Sequence, residues 1–145
     1  MLCMFALIIG INRYLSPRVP SLRGAEADAR AIRDYLKICL HTPDSHIQMV
    51  CGEDATRQNI IDALIALRDN EDIQWGDAIV IYYAGGGVDL RTPEGWPARG
   101  DRGHIPAIIP YDFDEEKGIH AIPDSTICWL IEDISEQHGD NIVSR

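Results

Sequence analysis

The cysteines and histidines are the residues of this sequence best suited to supply a nucleophile or a metal ligand. The four cysteines are Cys3, Cys39, Cys51 and Cys128. No two of them have the C-x-x-C spacing of a zinc ribbon or a thioredoxin-like redox motif. All four lie in apolar stretches, so we expect buried, reduced, structural thiols and a reducing compartment.

A cluster of carboxylates at residues 112–116 is the second feature that could do chemistry. Carboxylate oxygens are the ligands that Ca²⁺ prefers, and Asp101, Asp112 and Asp114 are the candidate ligands. The cluster lacks the ligand spacing of an EF-hand loop, which favours a solvated acidic loop. We therefore expect no cofactor, with calcium as the alternative.

A run of glycines, Gly85 to Gly87, follows the segment with the strongest strand pattern, residues 78–83. Such a turn could cradle a phosphate, but it lacks the G-K-[S/T] of a P-loop and the G-x-G-x-x-G of a dinucleotide fold. The formal net charge is −10. Nucleic acid is therefore not an expected partner, because phosphate contacts need clustered Lys and Arg.

The elements that must position these residues alternate between strand and helix. Buried strands are predicted at residues 5–11, 47–51 and 78–83, and residues 139–143 lead into a fourth. Helical periodicity appears at residues 24–40, 56–70 and 123–136. Residues 12–22 and 89–103 are predicted loops, and residues 105–110 a short extended piece. This order predicts an α/β domain with a mainly parallel sheet and helices on both faces.

The carboxyl ends of parallel strands are where such folds place their sites, so the turn at residues 83–87 is the predicted functional region. The chain has 145 residues, the size of one domain. Its apolar start is too short to cross a bilayer and lacks the basic segment of a signal peptide. We expect no membrane partner and a cytoplasmic location.

Five segments in order resemble the caspase and metacaspase family. Each matches a family motif: residues 6–12 the opening strand, Leu22-Arg-Gly-Ala-Glu-Ala-Asp28 the L-x-G-C-x-x-D motif, residues 79–87 the strand ending in Y-Y-S/A-G-H-G, Ile108-Ile-Pro-Tyr-Asp112 the I-V-P-x-D motif, and Gly139-Asp-Asn-Ile142 the G-D-N-I motif. The resemblance implies a caspase-like three-layer sandwich. It implies a single domain over residues 1–145, of the metacaspase large-subunit type and incomplete at its carboxyl end.

The resemblance also implies a cysteine peptidase, in which a thiolate attacks the peptide carbonyl and a histidine transfers the proton. Gly86 stands where the family has that histidine. The family's D-x-C motif, with the nucleophile, is expected at or beyond Arg145. Cys128 and His104 are the candidate substitutes, but Cys128 falls within a helical pattern and the five histidines are expected at the surface. We therefore expect no peptidase activity.

Substrate recognition is the other function that the resemblance implies. Metacaspases cleave after Arg or Lys, and by motif match Asp28 and Asp112 correspond to carboxylates of the specificity pocket, beside Ala84. Two carboxylates can bind a guanidinium through paired hydrogen bonds. Arg23 lies near the point where caspases bind an acidic residue, so a preference for Asp stays open. The alternative is that neither residue contacts a substrate. Asp28 is then a carboxylate in the first turn of a helix, favoured by the helix dipole, and Asp112 is a turn residue.

Three functions remain open: an inactive caspase-like scaffold that binds a protein or peptide, an inactive fragment or mutant of an active metacaspase, and a flavodoxin-like domain that binds a small ligand. If the nucleophile strand is missing, residues 78–83 form an open sheet edge. Unpaired edges recruit other chains. We therefore expect a homodimer at this edge, a complementing fragment, or a terminus that folds over it.

Overall fold

A computed structural model describes residues 3–91 and 104–145 of the chain. In chain order its strands are β1 (Met4–Gly10), β2 (Ile47–Cys51), β3 (Ala78–Ala84), β4 (Gly87–Arg91), β5 (His104–Ile108), β6 (Ile122–Pro123) and β7 (Ile142–Ser144). The helices are α1 (Ala25–Ile38), α2 (Arg57–Asp69) and α3 (Asp124–His138). The three helices and four main strands of the sequence analysis are therefore confirmed, with ends shifted by one or a few residues.

The centre of the fold is a parallel sheet of four strands in the order β2-β1-β3-β7. Strand β1 lies inside the sheet, and its residues from Phe5 to Gly10 are all buried. Such a strand needs apolar residues on both faces, which is why its sequence is continuously apolar instead of alternating.

Helices cover both faces of this sheet. On one face, Ala29 and Leu36 of α1 pack against Ala6 and Ile8 of β1. On the other face, α2 and α3 form the larger core, which contains Leu7, Ile9, Ile60, Leu64 and Ile134. The three-layer α/β sandwich that the sequence predicted is therefore confirmed.

A second, antiparallel sheet with the order β4-β5-β6 adjoins the end of β3. The sequence analysis missed it, since it placed residues 89–91 in a loop and residues 105–110 in an isolated extended piece. Pro106 and the proline of the two-residue strand β6 hide the pattern, because proline is depleted in strands. The rest of the predicted loop, residues 92–103, lies outside the described residues.

The prediction that β3 is an open edge is wrong. Strand β7 pairs with it in parallel from Ile79 to Ile81, and the bonds continue to Tyr83, whose amide donates to the carbonyl of Arg145 at 2.7 Å. Among the alternatives stated above, the terminal segment covers β3. The outer strand on this side of the described sheet is therefore β7.

Within the described part of the chain, the helices are all too short or too polar to cross a lipid bilayer.

Candidate functional site

The carboxyl ends of β1, β2 and β3 lie at the same level of the sheet. Gly10 at the end of β1 is in register with Cys51 of β2 on one side and with Ala84 of β3 on the other. The residues that follow these strands therefore meet at one edge, where parallel α/β sheets place their sites.

Gly86 lies at this edge, two residues after the end of β3, and is hydrogen-bonded to two tyrosines. Its amide donates a hydrogen bond to the Tyr14 hydroxyl at 2.6 Å. Its carbonyl accepts one from the Tyr83 hydroxyl at 2.6 Å and another from the amide of Ile109 at 3.1 Å. Both polar groups of Gly86 are thus satisfied by protein.

The Tyr83 phenol is held in its neutral form. Burial raises its pKa far above the usual range, and the neighbouring Tyr14 acts in the same direction. The hydroxyl therefore remains a donor to the carbonyl of Gly86 at neutral pH, and it cannot act there as a base.

The backbone does not require glycine at position 86. The described glycines with a positive φ are Gly52, Gly76, Gly118 and Gly139. A Cβ on Gly86 would lie 3.0 Å from the Tyr14 hydroxyl oxygen, at the end of a side chain that can move. A Cβ on Gly85, by contrast, would lie 2.6 Å from the Tyr83 hydroxyl oxygen and 2.8 Å from its ring. A side chain at position 86 is thus sterically cheaper than one at position 85.

A cleft of about 530 Å³ opens beside this turn, over the ends of β1 and β2. Its lining includes Arg13, Tyr14, Glu26, Glu53 and Tyr111. Arg13, Glu26 and Glu53 are charged residues, which suits a polar or charged ligand.

Glu26 is a cleft residue that the sequence analysis did not single out. Its carboxylate accepts a hydrogen bond from the Asn12 amide at 3.1 Å, while the Asn12 side-chain oxygen accepts one from the Glu26 amide at 3.1 Å. This reciprocal pair joins the segment after β1 to the first turn of α1. The signal available in the sequence was an asparagine two residues after a buried strand, followed by a carboxylate in the first turn of the next helix.

Cys51 is the cysteine at the carboxyl edge of the sheet. Burial raises the pKa of its thiol, and the Glu26 carboxylate adds to this. A protonated thiol is a poor nucleophile, so Cys51 is poorly suited to nucleophilic catalysis.

Asp112, a predicted pocket carboxylate, contacts the start of α2. Its side chain accepts a hydrogen bond from the Arg57 amide at 2.9 Å, so it satisfies a backbone donor that the helix leaves open. Asp28 and Arg23 are exposed at and before the first turn of α1. Ala84 ends β3, and its carbonyl accepts from the Ile11 amide at 2.9 Å. Substrate contacts by these four residues remain a prediction.

Two of the candidate calcium ligands, Asp112 and Asp114, accept hydrogen bonds from backbone amides, and the third lies outside the described residues. Asp114 accepts from the amides of Glu116 and Lys117 and so begins a short 3₁₀ turn. Asp101 is not among the described residues. Within residues 3–91 and 104–145, no three acidic, histidine or cysteine side chains cluster as a metal site.

Two expectations about the cysteines and histidines are wrong. Cys3 and Cys39 are exposed instead of buried, although the described cysteines form no disulfide. His138, expected at the surface, is 4% exposed, and its Nε2 lies 2.9 Å from the Leu67 carbonyl, which ties α3 to α2. Cys128 lies in α3 as predicted, 3.7 Å from the Asp124 carboxylate.

The fold and the edge site define an α/β sandwich of the kind that the sequence motifs resemble, and comparison with known proteins agrees. Residues 3–125 match the caspase domain of peptidase family C14. The chain belongs to this caspase-domain family. The match favours the caspase-like interpretations over a flavodoxin-like domain.

A solved structure supports the same fold. The chain is similar to protein GSU0716 from Geobacter sulfurreducens, with a TM-score of 0.70 and 17% sequence identity. The match covers 98% of this chain and 48% of the other, so the chain spans about half the length of that protein. None of the curated proteins searched matches the chain.

Proposed function

We propose that this chain is a catalytically inactive caspase-family domain, a pseudoprotease that acts by binding a protein or peptide in the cytoplasm. The observation that carries the proposal is Gly86. It stands at the family's histidine position, and its backbone groups are bound by Tyr14 and Tyr83. A glycine has no group that can accept the thiol proton or protonate a leaving amine.

The groups around Gly86 do not supply a replacement base. The raised pKa of Tyr83 keeps its hydroxyl protonated at neutral pH. The thiol of Cys51 is protonated as well, since its pKa is raised. Tyr83 and Cys51 are therefore both held in their protonated forms.

The neighbouring cleft supports a binding role. The carboxylates of Glu26 and Glu53 line it together with Arg13, and Glu26 is fixed by its bond to the Asn12 amide. A fixed carboxylate can bind a guanidinium or ammonium group without losing side-chain freedom. This favours a basic peptide side chain, the class that the family resemblance implied through Asp28 and Asp112.

An assay of peptide hydrolysis tests the loss of catalysis. The chain and its Gly86→His variant are incubated with fluorogenic peptides that end in Arg, Lys or Asp at the cleaved bond. We expect no turnover above buffer in either protein, because the histidine alone has no partner thiolate. Turnover of Arg or Lys peptides that Cys128→Ala abolishes would contradict the proposal.

A binding measurement tests the scaffold role separately. Fluorescence anisotropy of labelled peptides with an internal Arg, or with Gln in its place, reports binding without hydrolysis. We expect preference for the Arg peptide and about a tenfold loss of affinity in Glu26→Gln, typical for removing a charged hydrogen-bond partner. The exposed Asp34→Asn is the matched control. Equal binding of the two peptides would exclude the cleft as a binding site for a basic side chain.

A second candidate function is an inactive piece or mutant of an active metacaspase. The observation that favours it is the match over 48% of the similar structure. The coding sequence beyond Arg145 decides between the two. An in-frame D-x-C-H-S-G segment predicts that Gly86→His in the longer protein restores cleavage after basic residues, whereas a stop codon leaves binding as the function.

A further inference from the structure

The cleft beside the Gly86 turn carries charges of both signs on its lining. Arg13 and Glu53 are exposed, Glu26 is partly buried, and all three line this cleft. Within residues 3–91 and 104–145, none of the three forms an ion pair. A cleft that offers an unpaired cation together with unpaired carboxylates is complementary to a ligand that carries an anion and a cation close together.

The two carboxylate oxygens of Glu26 have different surroundings. Oε2 accepts the hydrogen bond from the Asn12 amide, which fixes the orientation of the group. Oε1 faces Gly52, where a Cβ would lie 3.2 Å away. Gly52 has a φ of 59°, a backbone conformation that favours glycine and so keeps a side chain off this oxygen. Oε1 is therefore a fixed acceptor that a ligand can reach.

Backbone hydrogen bonds hold the segment that carries Arg13 on both sides. The Asn12 carbonyl accepts from the Leu22 amide at 2.6 Å, and the Leu15 amide donates to the Tyr111 carbonyl at 3.0 Å. Ligand binding therefore needs little further ordering of the backbone here, which lowers its entropic cost.

A peptide that ends in Arg or Lys has the charges that this lining requires. Its terminal carboxylate and its side-chain cation belong to one residue, so the two charges lie close together. Arg13 can bind the carboxylate through paired hydrogen bonds, and Glu26 can bind the guanidinium or ammonium group. An internal Arg has an uncharged amide in place of the carboxylate and would leave Arg13 without an anion to bind.

We propose that the cleft recognises the carboxyl end that peptide cleavage after Arg or Lys produces, with Glu26 on the side chain and Arg13 on the terminal carboxylate. The inference rests on the proposed function, because it narrows the basic ligand of the same cleft to one with a free carboxylate. It also places this chain in a reaction sequence: hydrolysis after basic residues, by an active peptidase, supplies the ligand.

Fluorescence anisotropy with four labelled peptides of one sequence tests the proposal. The peptides end in Arg or in Gln, each as the free acid and as the amide. We expect the Arg acid to bind most tightly and the Arg amide about tenfold more weakly, as for the loss of a charged hydrogen-bond partner. Arg13→Gln should weaken the Arg acid about tenfold and leave the Arg amide unchanged, whereas Glu26→Gln should weaken both Arg peptides alike.

Two controls make the result specific. Arg68→Gln removes the same charge near the end of α2, away from the cleft, and should leave all four affinities unchanged. Unlabelled arginine and Nα-acetylarginine are competitors that distinguish an amino acid from a peptide end. The acetyl form, which has the charges of a peptide end, should compete at least as well. Stronger competition by free arginine would overturn the assignment to a peptide end.

The four peptides also separate this inference from the function on which it rests. If the Arg acid and the Arg amide bind equally, and both bind more tightly than the Gln peptides, the inference is wrong and the proposed function stands. If Arg and Gln peptides bind equally, both are contradicted. Because the comparison of acid with amide uses the unmodified chain, it does not depend on the folding of any variant.

Discussion

Hydrogen bonds of Tyr83, near the end of β3, and of Gly86 define the geometry of the turn that follows this strand. Gly86 keeps both backbone groups bonded, to Tyr14 and Tyr83, and its φ is not in the left-handed region. A Cβ at this position would fit if the Tyr14 hydroxyl moved by a few tenths of an ångström. The fold therefore does not explain why glycine stands here.

Tyr83 should make the stability of the chain depend on alkaline pH. An unfolded tyrosine ionises with a pKa of 10.0, and burial raises the pKa in the folded chain. Folding then favours the neutral phenol. This contribution is complete below pH 10.0 and is lost as pH rises above it, because the unfolded chain can release the proton and the folded chain cannot.

Replacing Tyr83 by phenylalanine tests this dependence. At neutral pH, Tyr83→Phe should lower the free energy of unfolding by about 1–2 kcal/mol, since the carbonyl of Gly86 loses a buried donor. As pH rises beyond about 10, the difference between the two proteins should shrink. Urea unfolding followed by circular dichroism at several pH values measures it, with the exposed Tyr35→Phe as control. If the difference in unfolding free energy between the two proteins stayed constant with pH, the raised pKa of Tyr83 would be contradicted.

At the scale of elements, the start of α2 is held by two side chains from different parts of the sequence. Thr56 is the N-cap, and its hydroxyl accepts from the Asn59 amide at 3.2 Å. Asp112, which lies 55 residues further along, accepts from the Arg57 amide. A carboxylate at this end also interacts favourably with the helix dipole. The structure thus gives Asp112 a role in stability beside its predicted role in recognition.

Asp112→Ala should therefore destabilise the chain, by about 1–2 kcal/mol, as the loss of a helix N-terminal acceptor does. Thr56→Ala should cost a similar amount, about 1 kcal/mol. Asp28→Ala, at an exposed position, should change stability by less than about 0.5 kcal/mol. Chemical denaturation of the three variants provides the comparison. If Asp112→Ala lowered the free energy of unfolding no more than Asp28→Ala does, the Asp112 carboxylate would not stabilise α2.

The elements could be predicted from the sequence to different extents. Strand β1 and helix α2 were recognisable because their signals are local: a continuous apolar run in one, an N-cap and helical period in the other. The pairing of β4 with β5 depends on residues separated by the undescribed segment 92–103, and no local pattern announces it. The fourth strand was predicted from residues 139–143, whereas its pairing with β3 was not.

In the candidate site too, features with a local sequence signal were predicted and features that depend on contacts between distant segments were not. The turn at Gly86 was found because it ends an apolar strand, whereas the Asn12–Glu26 pair was missed. That pair forms because β1 and α1 approach closely at Gly10, where a Cβ would lie 2.7 Å from Cβ of Ala29. Such an approach depends on packing between elements, which the spacing of residues in a sequence does not reveal.

At the scale of the whole molecule, the sheet is closed on the β3 side by a strand from the end of the described chain. If residues 140–145 are removed, β3 loses its bonds to Asn141 and Arg145 and becomes the outer strand. Its apolar residues Ile79 and Ile81, now 1% and 6% exposed, would then adjoin an open edge. Such an edge is a template for pairing with other chains.

We expect a chain that ends at Gly139 to keep its helical circular dichroism signal, since β7 adds no helix and contributes little to the main core. Size-exclusion chromatography with light scattering should show polydisperse assemblies, because the apolar edge of β3 is then unpaired. Val143→Thr, which keeps every backbone pair of β7, should elute as the full chain does. A folded monomer at about 100 µM would contradict the idea that β7 protects β3 from pairing with other chains, and loss of the helical signal would show that β7 is required for folding.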